Sequence, residues 1–156
     1  MFSTNEESLF FLNHINKTHK VLEYGSGGST FEIAQRCKEI LSIEHQEDWF
    51  LKIKNDLPIN AKIILRTPNL PYNEGGDCGT YQEFKDYVDY PIPYGPYDII
   101  LIDGRARVSC ASICLKISKQ ETMVFIHDFN REEYKPVLNF LNLIDQVGTM
   151  AKFSIK

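Results

Sequence analysis

The sequence predicts a single α/β domain, spanning residues 1–156, with a mostly parallel sheet and helices on both of its faces. Two observations support this fold class. Apolar segments of strand length alternate with segments of helical periodicity along most of the chain. One such segment, DIILID at residues 98–103, is almost continuously apolar, which is typical of a central strand buried on both faces.

The predicted elements follow this alternation. Strands are expected over residues 20–24, 40–44, 61–66, 98–103 and 122–127. Helices are expected after Ser29 and over 47–57 and 105–118, where apolar residues recur three or four positions apart. A capping box, formed by Ser3 with Glu6 or by Thr4 with Glu7, would open a first helix ahead of them.

The C-terminal part is predicted to hold one more helix and a hairpin. Asn130 is a favourable N-cap with Glu133 three residues later, so the helix is expected to run from there to about residue 143. Residues 147–155 could form a C-terminal antiparallel hairpin around Gly148.

Composition and charge exclude several classes of function. The formal net charge of -4 and the sequence pI of about 5.6 argue against a nucleic-acid partner. The N-terminal residues do not resemble a signal peptide, and no apolar run approaches the ~20 residues of a membrane span, so no membrane association is expected. The four cysteines form no CxxC pair, which favours buried, reduced thiols in a cytoplasmic protein.

Residues 67–97 interrupt the alternation, because they show neither a clear strand period nor a clear helix period. They hold six of the eight tyrosines and five of the seven prolines. One short helix is expected within the segment, near residues 82–88. Long loops in compact domains are usually functional or disordered, and the aromatic content argues against disorder. The segment is therefore interpreted as a lid-like insertion that binds an acceptor, with a packing insertion or a homo-oligomer contact as the alternative.

A glycine-rich segment, VLEYGSGGST at residues 21–30, joins the first strand to the next helix. Gly25, Gly27 and Gly28 would let the chain turn sharply and let a ligand approach the backbone closely. A helix that begins near Ser29 offers free amide hydrogens to a carboxylate or a phosphate. Glu44, at the end of the second strand, is placed to hold the two hydroxyls of a ribose. Together these features predict a Rossmann-like site for an adenosine-containing cofactor.

The glycine segment resembles motif I of the class I S-adenosylmethionine-dependent methyltransferases, which has the pattern E/D-x-G-x-G-x. Glu44 and Asp103 match the acidic residues that follow the second and fourth strands in that family, and the order of elements agrees over most of the chain. The resemblance implies S-adenosylmethionine as cofactor and methyl transfer as reaction. The implied cofactor site comprises Glu23, Gly25, Ser26, Gly27, Gly28, Ser29, Thr30, Glu44, His45 and Asp103.

Three blocks look like a narrower subgroup of that family: VLEYGSGGST, LSIEHQEDW and YDIILIDGRARVSCA. The subgroup carries GSGGST, EHD-x-x-W and DGRARV-x-C patterns, and the plant glucuronoxylan O-methyltransferases share related blocks. Its acceptors are thought to be sugar hydroxyls. The resemblance therefore implies carbohydrate O-methylation, with a glycan or another small polar hydroxyl compound as the acceptor.

Candidate catalytic residues follow the fourth and fifth strands, since ligands of open α/β sheets bind beyond the carboxyl ends of the strands. A hydroxyl acceptor must lose its proton during methyl transfer, so a base or a metal is useful there. Asp103 could position the methyl donor, bind the acceptor or ligate a metal, and His127 is a possible general base. The alternatives are a satisfied histidine at a strand end for His127 and a helix cap for Asp128.

Asp103 and Asp128 also match the two acids with which some O-methyltransferases hold a magnesium-like ion. The amide that completes this ligand set is displaced here, because Phe129 follows Asp128 and Asn130 comes one residue later. Two or three oxygen ligands with open positions would suit Mg²⁺ or Mn²⁺.

Three further side chains have two interpretations each. Arg105 and Arg107 either clamp a polar or acidic acceptor or form the solvated first turn of a helix. Trp49 is expected to pack in the core, with stacking on adenine as the alternative.

Two other functions compete with methyl transfer. A nicotinamide-dinucleotide-binding domain would carry G-x-G-x-x-G, but Thr30 stands at the third glycine position and no separate catalytic domain is evident. A non-enzymatic methyltransferase-like module, or a subunit that needs a partner, would fit the short chain.

Overall fold

A computed structural model describes residues 4–73 and 79–156 of the chain. Its helices and strands, in chain order, are α1 (Asn5–Leu12), β1 (Lys20–Tyr24), α2 (Gly28–Ala34), β2 (Glu39–Glu44), α3 (Glu47–Ile53), β3 (Ala61–Leu65), α4 (Lys85–Asp89), β4 (Tyr97–Ile102), α5 (Arg107–Ile117), β5 (Ser118–Ile126), β6 (Leu141–Val147) and β7 (Met150–Ile155). Two 3₁₀ helices cover Ile92–Tyr94 and Glu132–Asn139. The Ser3 cap and Cys78 lie outside the described residues.

The strands form one sheet in the order β3-β2-β1-β4-β5-β7-β6. β1 to β5 pair in parallel, whereas β7 runs antiparallel to both β5 and β6. The strand order reverses between β1 and β4, which is the point where open α/β sheets bind ligands. The predicted α/β fold and its C-terminal antiparallel hairpin are confirmed.

The central strands are buried on both faces, as their apolar sequences predict. Leu22 and Ile100 belong to one core cluster, which α4 and α5 cover. Val21 and Ile99, the residues that precede them, belong to a second cluster, which α1 and α2 cover. Because neighbouring strand residues point to opposite faces, this alternation fixes the register of the sheet.

The first helix begins with one of the two predicted capping boxes. The backbone nitrogen of Glu7 donates to Oγ1 of Thr4 at 3.1 Å, and that of Thr4 donates to Oε2 of Glu7 at 3.2 Å. This pairing satisfies two amides that the start of a helix leaves without intrahelical partners.

The helix expected from Asn130 to residue 143 is wrong. A 3₁₀ helix over Glu132–Asn139 replaces its first part, and β6 (Leu141–Val147) replaces the rest. Pro136 lies inside the predicted helix and has no N–H to donate, so it disfavours α-helical hydrogen bonding there. The 3₁₀ helix is flanked by Arg131, whose side chain does not cap it.

Part of the segment 67–97, in and around α4, packs against the domain. Phe84, Tyr87 and Val88 are completely buried, and Tyr24 Oη donates to the carbonyl oxygen of Val88 at 2.7 Å. These contacts hold α4 against the core, and the lid role and its packing alternative both stay predictions for the segment. No helix within residues 4–73 and 79–156 is long and apolar enough to cross a membrane.

Candidate active site

The glycine loop between β1 and α2 lies directly against the end of β4. Gly25 has a positive φ of 95°, and a Cβ there would approach the carbonyl oxygen of Asp103 to 2.9 Å. A Cβ on Gly104 would clash with the hydroxyl oxygen of Tyr87. Glycine is required at both positions because each backbone is in close contact with another part of the site.

Glu23 supports this loop from inside the protein. It is completely buried and accepts hydrogen bonds from the hydroxyls of Ser29, Thr30 and Ser42, those from Thr30 and Ser42 being 2.5 and 2.7 Å long. Burial raises the pKa of Glu23 from 4.5 to about 7, despite the lowering effect of these hydrogen bonds. Ser29 and Thr30 therefore bind Glu23, so their side chains hold the loop in place.

Glu44 lies at the end of β2 and faces the same loop. Its carboxylate accepts hydrogen bonds from the backbone nitrogens of Ser26 at 3.0 Å and of His45 and Gln46 at 2.9 Å each. Burial opposes the charged form, but these hydrogen bonds and the adjacent His45 ring outweigh it and lower the pKa of Glu44. Glu44 is thus an ionised acceptor held in a fixed position beside the loop.

The ring of His45 lies in an aromatic pocket next to Glu44. Its centroid is 6.2 Å from that of Tyr72, 5.8 Å from that of Phe84 and 6.0 Å from that of Tyr87. Nδ1 is 3.2 Å from Oε1 of Glu44 but outside hydrogen-bond geometry, so neither ring nitrogen has a hydrogen-bond partner among the described residues. A buried polar atom without a partner is costly and is a suitable contact for a polar ligand.

Trp49 lies against the glycine loop, and the predicted core position is wrong. Its Nε1 donates to the carbonyl oxygen of Ser26 at 2.7 Å, and its ring would be 3.9 Å from a Cβ on Gly27. The residue is 37% exposed, so its ring forms part of the surface beside the predicted cofactor site.

The acidic residues after β4 and β5 meet in one cluster, as the sequence predicts. Potential ligand atoms of Asp103, His127 and Asp128 all lie within 4.8 Å of one another. Nδ1 of His127 is 3.0 Å from Oδ1 of Asp103 and 3.9 Å from Oδ2 of Asp128. The side chains of both acids are partly exposed, so a ligand can reach this cluster.

Glu7 also belongs to this site, although nothing in the sequence indicated it. It is buried in α1, and its Oε2 lies 3.5 Å from Nε2 of His127. Burial alone would lower the pKa of His127, but Asp103, Asp128 and Glu7 together raise it. Both ring nitrogens face carboxylates, which favours the protonated form of His127, and this arrangement does not favour a general base.

Arg107, for which the sequence left two interpretations open, is not solvated. It is 7% exposed; its Nε donates to the carbonyl oxygen of Gly104 at 3.0 Å and its Nη1 to that of His127 at 2.6 Å. The same Nη1 lies 3.3 Å from Oδ2 of Asp128 and 3.5 Å from Oδ1 of Asp103. Arg105 is half-buried, with its guanidinium carbon 5.5 Å from the centroid of the Tyr72 ring.

A separate cavity of about 410 Å³ opens at the other edge of the sheet. Its lining includes Lys20, Glu39 and Ala61, the first residues of β1, β2 and β3. The glycine loop and the acidic cluster follow the carboxyl ends of the strands, so this cavity does not belong to the candidate site.

No family model and no curated protein matches the sequence. Solved structures match its fold. A methyltransferase-like protein (spo2022) from Silicibacter pomeroyi DSS-3 is 23% identical, with a TM-score of 0.73 over 100% of this chain and 88% of its own. SMU.1697c from Streptococcus mutans, in complex with SAH (S-adenosylhomocysteine), is 12% identical, with a TM-score of 0.63 over 100% of both chains.

MycE methyltransferase from the mycinamycin biosynthetic pathway, in complex with Mg, SAH and mycinamycin VI, is 15% identical. Its TM-score is 0.61, over 99% of this chain and 46% of its own. At these sequence identities, the comparisons show that the fold is shared and nothing more. The chain has a Rossmann-like α/β fold that it shares with these methyltransferase structures.

Proposed function

We propose that the protein is an S-adenosylmethionine-dependent methyltransferase. The observation that carries the proposal is the ionised carboxylate of Glu44, held by the backbone nitrogens of Ser26, His45 and Gln46. Its Oε2 accepts one hydrogen bond from the described residues, so it keeps acceptor capacity for the hydroxyls of a ribose. It lies at the end of β2, beside the glycine loop that follows β1, and β1 borders the switch point between β1 and β4.

The rest of the loop fits an adenosine cofactor. A Cβ on Gly28 would meet no atom within 4 Å, so there is open space in front of the backbone at this position. Trp49 donates to the carbonyl oxygen of Ser26 in the loop, and the buried ring of His45 lies beside Glu44, with Nδ1 3.2 Å from Oε1. When bound, the cofactor supplies a methyl group already activated on a sulfonium, and the protein has to align the acceptor and exclude water.

The topology favours this cofactor over a nicotinamide dinucleotide. The dinucleotide-binding fold has the strand order 3-2-1-4-5-6, whereas here the antiparallel β7 lies between β5 and β6. Thr30, at the third glycine position of the dinucleotide fingerprint, is completely buried, and its hydroxyl donates to Glu23.

For the acceptor, we propose a hydroxyl of a sugar or another small polar compound. Asp103 and Asp128 present partly exposed carboxylates beyond β4 and β5, where they can bind an acceptor hydroxyl and take up its proton. Arg105, half-buried beside Tyr72, is proposed to contact the acceptor's polar groups. His127 is assigned to holding Asp103 in place, because both of its ring nitrogens face acids.

Calorimetric titration with S-adenosylhomocysteine tests the cofactor assignment. We expect micromolar binding by the native chain, and no detectable binding after Glu44→Ala. Glu39→Ala is the matched control, since Glu39 is exposed at the other end of the same strand. Binding of NADH in place of S-adenosylhomocysteine would overturn the proposal.

Turnover with a labelled methyl donor and a panel of hydroxylated acceptors tests the reaction. Methyl transfer to a sugar or polyol by the purified chain would support O-methylation. Cofactor binding without turnover on any acceptor would instead support the partner-dependent, non-enzymatic alternative.

A further inference from the structure

The two acids that would hold a divalent metal already have a cation beside them. Nη1 of Arg107 lies 3.5 Å from Oδ1 of Asp103 and 3.3 Å from Oδ2 of Asp128. Carboxylates bind Mg²⁺ at about 2.1 Å and Ca²⁺ at about 2.3–2.6 Å. An ion bound to these two oxygens would therefore lie close to the guanidinium, and the two positive charges would repel each other.

The guanidinium is fixed in this position from several sides. Its Nε donates to the carbonyl oxygen of Gly104 and its Nη1 to that of His127. The ring of Tyr134 packs against it, with its centroid 4.9 Å from the guanidinium carbon. Moving Arg107 away would break its hydrogen bonds to both carbonyls, which is costly because Arg107 is itself buried.

The third potential ligand is engaged as well. Nδ1 of His127 lies 3.0 Å from Oδ1 of Asp103, and its Nε2 faces the buried Glu7 at 3.5 Å. The acids of this cluster are thus balanced by side chains of the protein itself. The residues present do not fit a divalent ion.

We propose that Arg107 takes the place of a divalent metal ion in this site. It is a positioning residue that holds Asp103 and Asp128 in the geometry needed for an acceptor hydroxyl. The role toward the acceptor depends on the proposed methyltransferase function, whereas the preference for arginine over metal depends on this cluster alone.

Manganese binding, followed by the electron paramagnetic resonance signal of free Mn²⁺, tests the proposal without any need for turnover. We expect the native chain to leave the signal unchanged and its affinity for S-adenosylhomocysteine to be the same with EDTA or with Mg²⁺. Arg107→Met removes the charge and keeps an apolar stem, so it should increase Mn²⁺ affinity on the order of tenfold or more. Asp128→Asn in the Arg107→Met background should abolish the gain.

Arg131→Met is the matched control, because Arg131 lies 3.7 Å from Asp128 but is largely exposed to solvent. It should not create a Mn²⁺ site. Arg107→Lys, which keeps the charge, should also bind no Mn²⁺, and it should raise the acceptor KM more than it changes the affinity for S-adenosylhomocysteine. A larger change in the acceptor KM than in the affinity for S-adenosylhomocysteine distinguishes a positioning role at the acceptor site from a general loss of structure.

Stoichiometric Mn²⁺ binding by the native chain that is lost in Asp103→Asn or Asp128→Asn would overturn the proposal. If Arg107→Met does not fold, as judged by circular dichroism, the native chain and Arg107→Lys still decide the matter. If the native chain fails to bind S-adenosylhomocysteine, the proposed function fails, whereas the Mn²⁺ result still stands for or against Arg107.

Discussion

The carboxylate of Glu7 accepts hydrogen bonds from both the backbone nitrogen and the hydroxyl of Thr149, at 2.6 and 2.8 Å, across 142 residues of sequence. Thr149 lies in the turn between β6 and β7, and the other oxygen of Glu7 faces His127 at the end of β5. One buried side chain of α1 therefore connects the first helix to the C-terminal hairpin and to the candidate site.

Replacing Glu7 should destabilise the fold. Glu7→Ala removes charge-assisted hydrogen bonds to Thr149 and Thr4 and should lower the free energy of unfolding by about 2–3 kcal/mol. Urea unfolding followed by circular dichroism measures this difference. Glu6→Ala, at the exposed neighbouring position, should change the stability by less than about 0.5 kcal/mol. Equal stability of the two variants would show that the contacts of Glu7 do not stabilise the fold.

Glu23 should make stability depend on pH, because burial raises its pKa from 4.5 to about 7. Between pH 4.5 and about 7, the folded state therefore still binds a proton that the unfolded state has already released. The stabilisation is complete below pH 4.5 and is lost as the pH rises through about 7, for a total of about 3 kcal/mol.

Glu23→Gln should remove this dependence, since glutamine does not titrate. We therefore expect the native chain to lose about 3 kcal/mol relative to Glu23→Gln between pH 4.5 and pH 8. Denaturant unfolding at several pH values gives the difference, in which the other titrating groups cancel. A difference that stays constant with pH would mean that the carboxyl of Glu23 titrates normally.

Gly25 and Gly28 of the loop should respond differently to substitution by alanine. Gly25→Ala should cost about 2–4 kcal/mol, because φ is positive and the new Cβ would meet the carbonyl oxygen of Asp103. Gly28→Ala should leave stability unchanged or slightly higher, since nothing lies within 4 Å of its Cβ, but it should weaken binding of S-adenosylhomocysteine. Thermal unfolding and calorimetry separate these outcomes. Equal cofactor affinity for native and Gly28→Ala chains would place the cofactor elsewhere.

Some parts of the site could be predicted from the sequence. They belong to one continuous segment or directly follow a strand. The glycine loop and Glu44 follow from local pattern, because a turn after a strand and an acid at the next strand end have consistent positions in parallel sheets. The same rule brought Asp103, His127 and Asp128 to one edge. All of these residues lie where the fold class requires them.

The parts of the site that could not be predicted from the sequence depend on contacts between distant segments. Thr4 and Glu7 were recognisable as a capping box, but nothing in the sequence near them indicates Thr149 as a partner. From the sequence, Arg107 could be either a solvated or a buried residue of a first helical turn. Whether its side chain is buried depends on how α5 packs against Tyr134 and the end of β5. Pro136, in contrast, did carry a local signal, since a proline inside a predicted helix argues for a break.

Trp49 should report cofactor binding, because it is the only tryptophan of the chain and its Nε1 donates to the carbonyl oxygen of Ser26. Saturation with S-adenosylhomocysteine should change the intensity or the wavelength of its fluorescence. Trp49→Phe should abolish the optical signal, with calorimetry still reporting binding. An unchanged spectrum at saturating ligand would show that the cofactor does not approach this part of the loop.

The amides of α4 should exchange slowly with solvent even without a cofactor. Val88 and Tyr87 are completely buried, and the hydroxyl of Tyr24 donates to the carbonyl oxygen of Val88 at 2.7 Å. Tyr24→Phe removes that buried hydrogen bond and should speed exchange across α4. Tyr81→Phe, which removes a hydrogen bond to Asp89 near the surface, should have a much smaller effect. If residues 85–90 exchange rapidly in the native chain and become protected only when cofactor is added, the helix belongs to a closing lid rather than to the core.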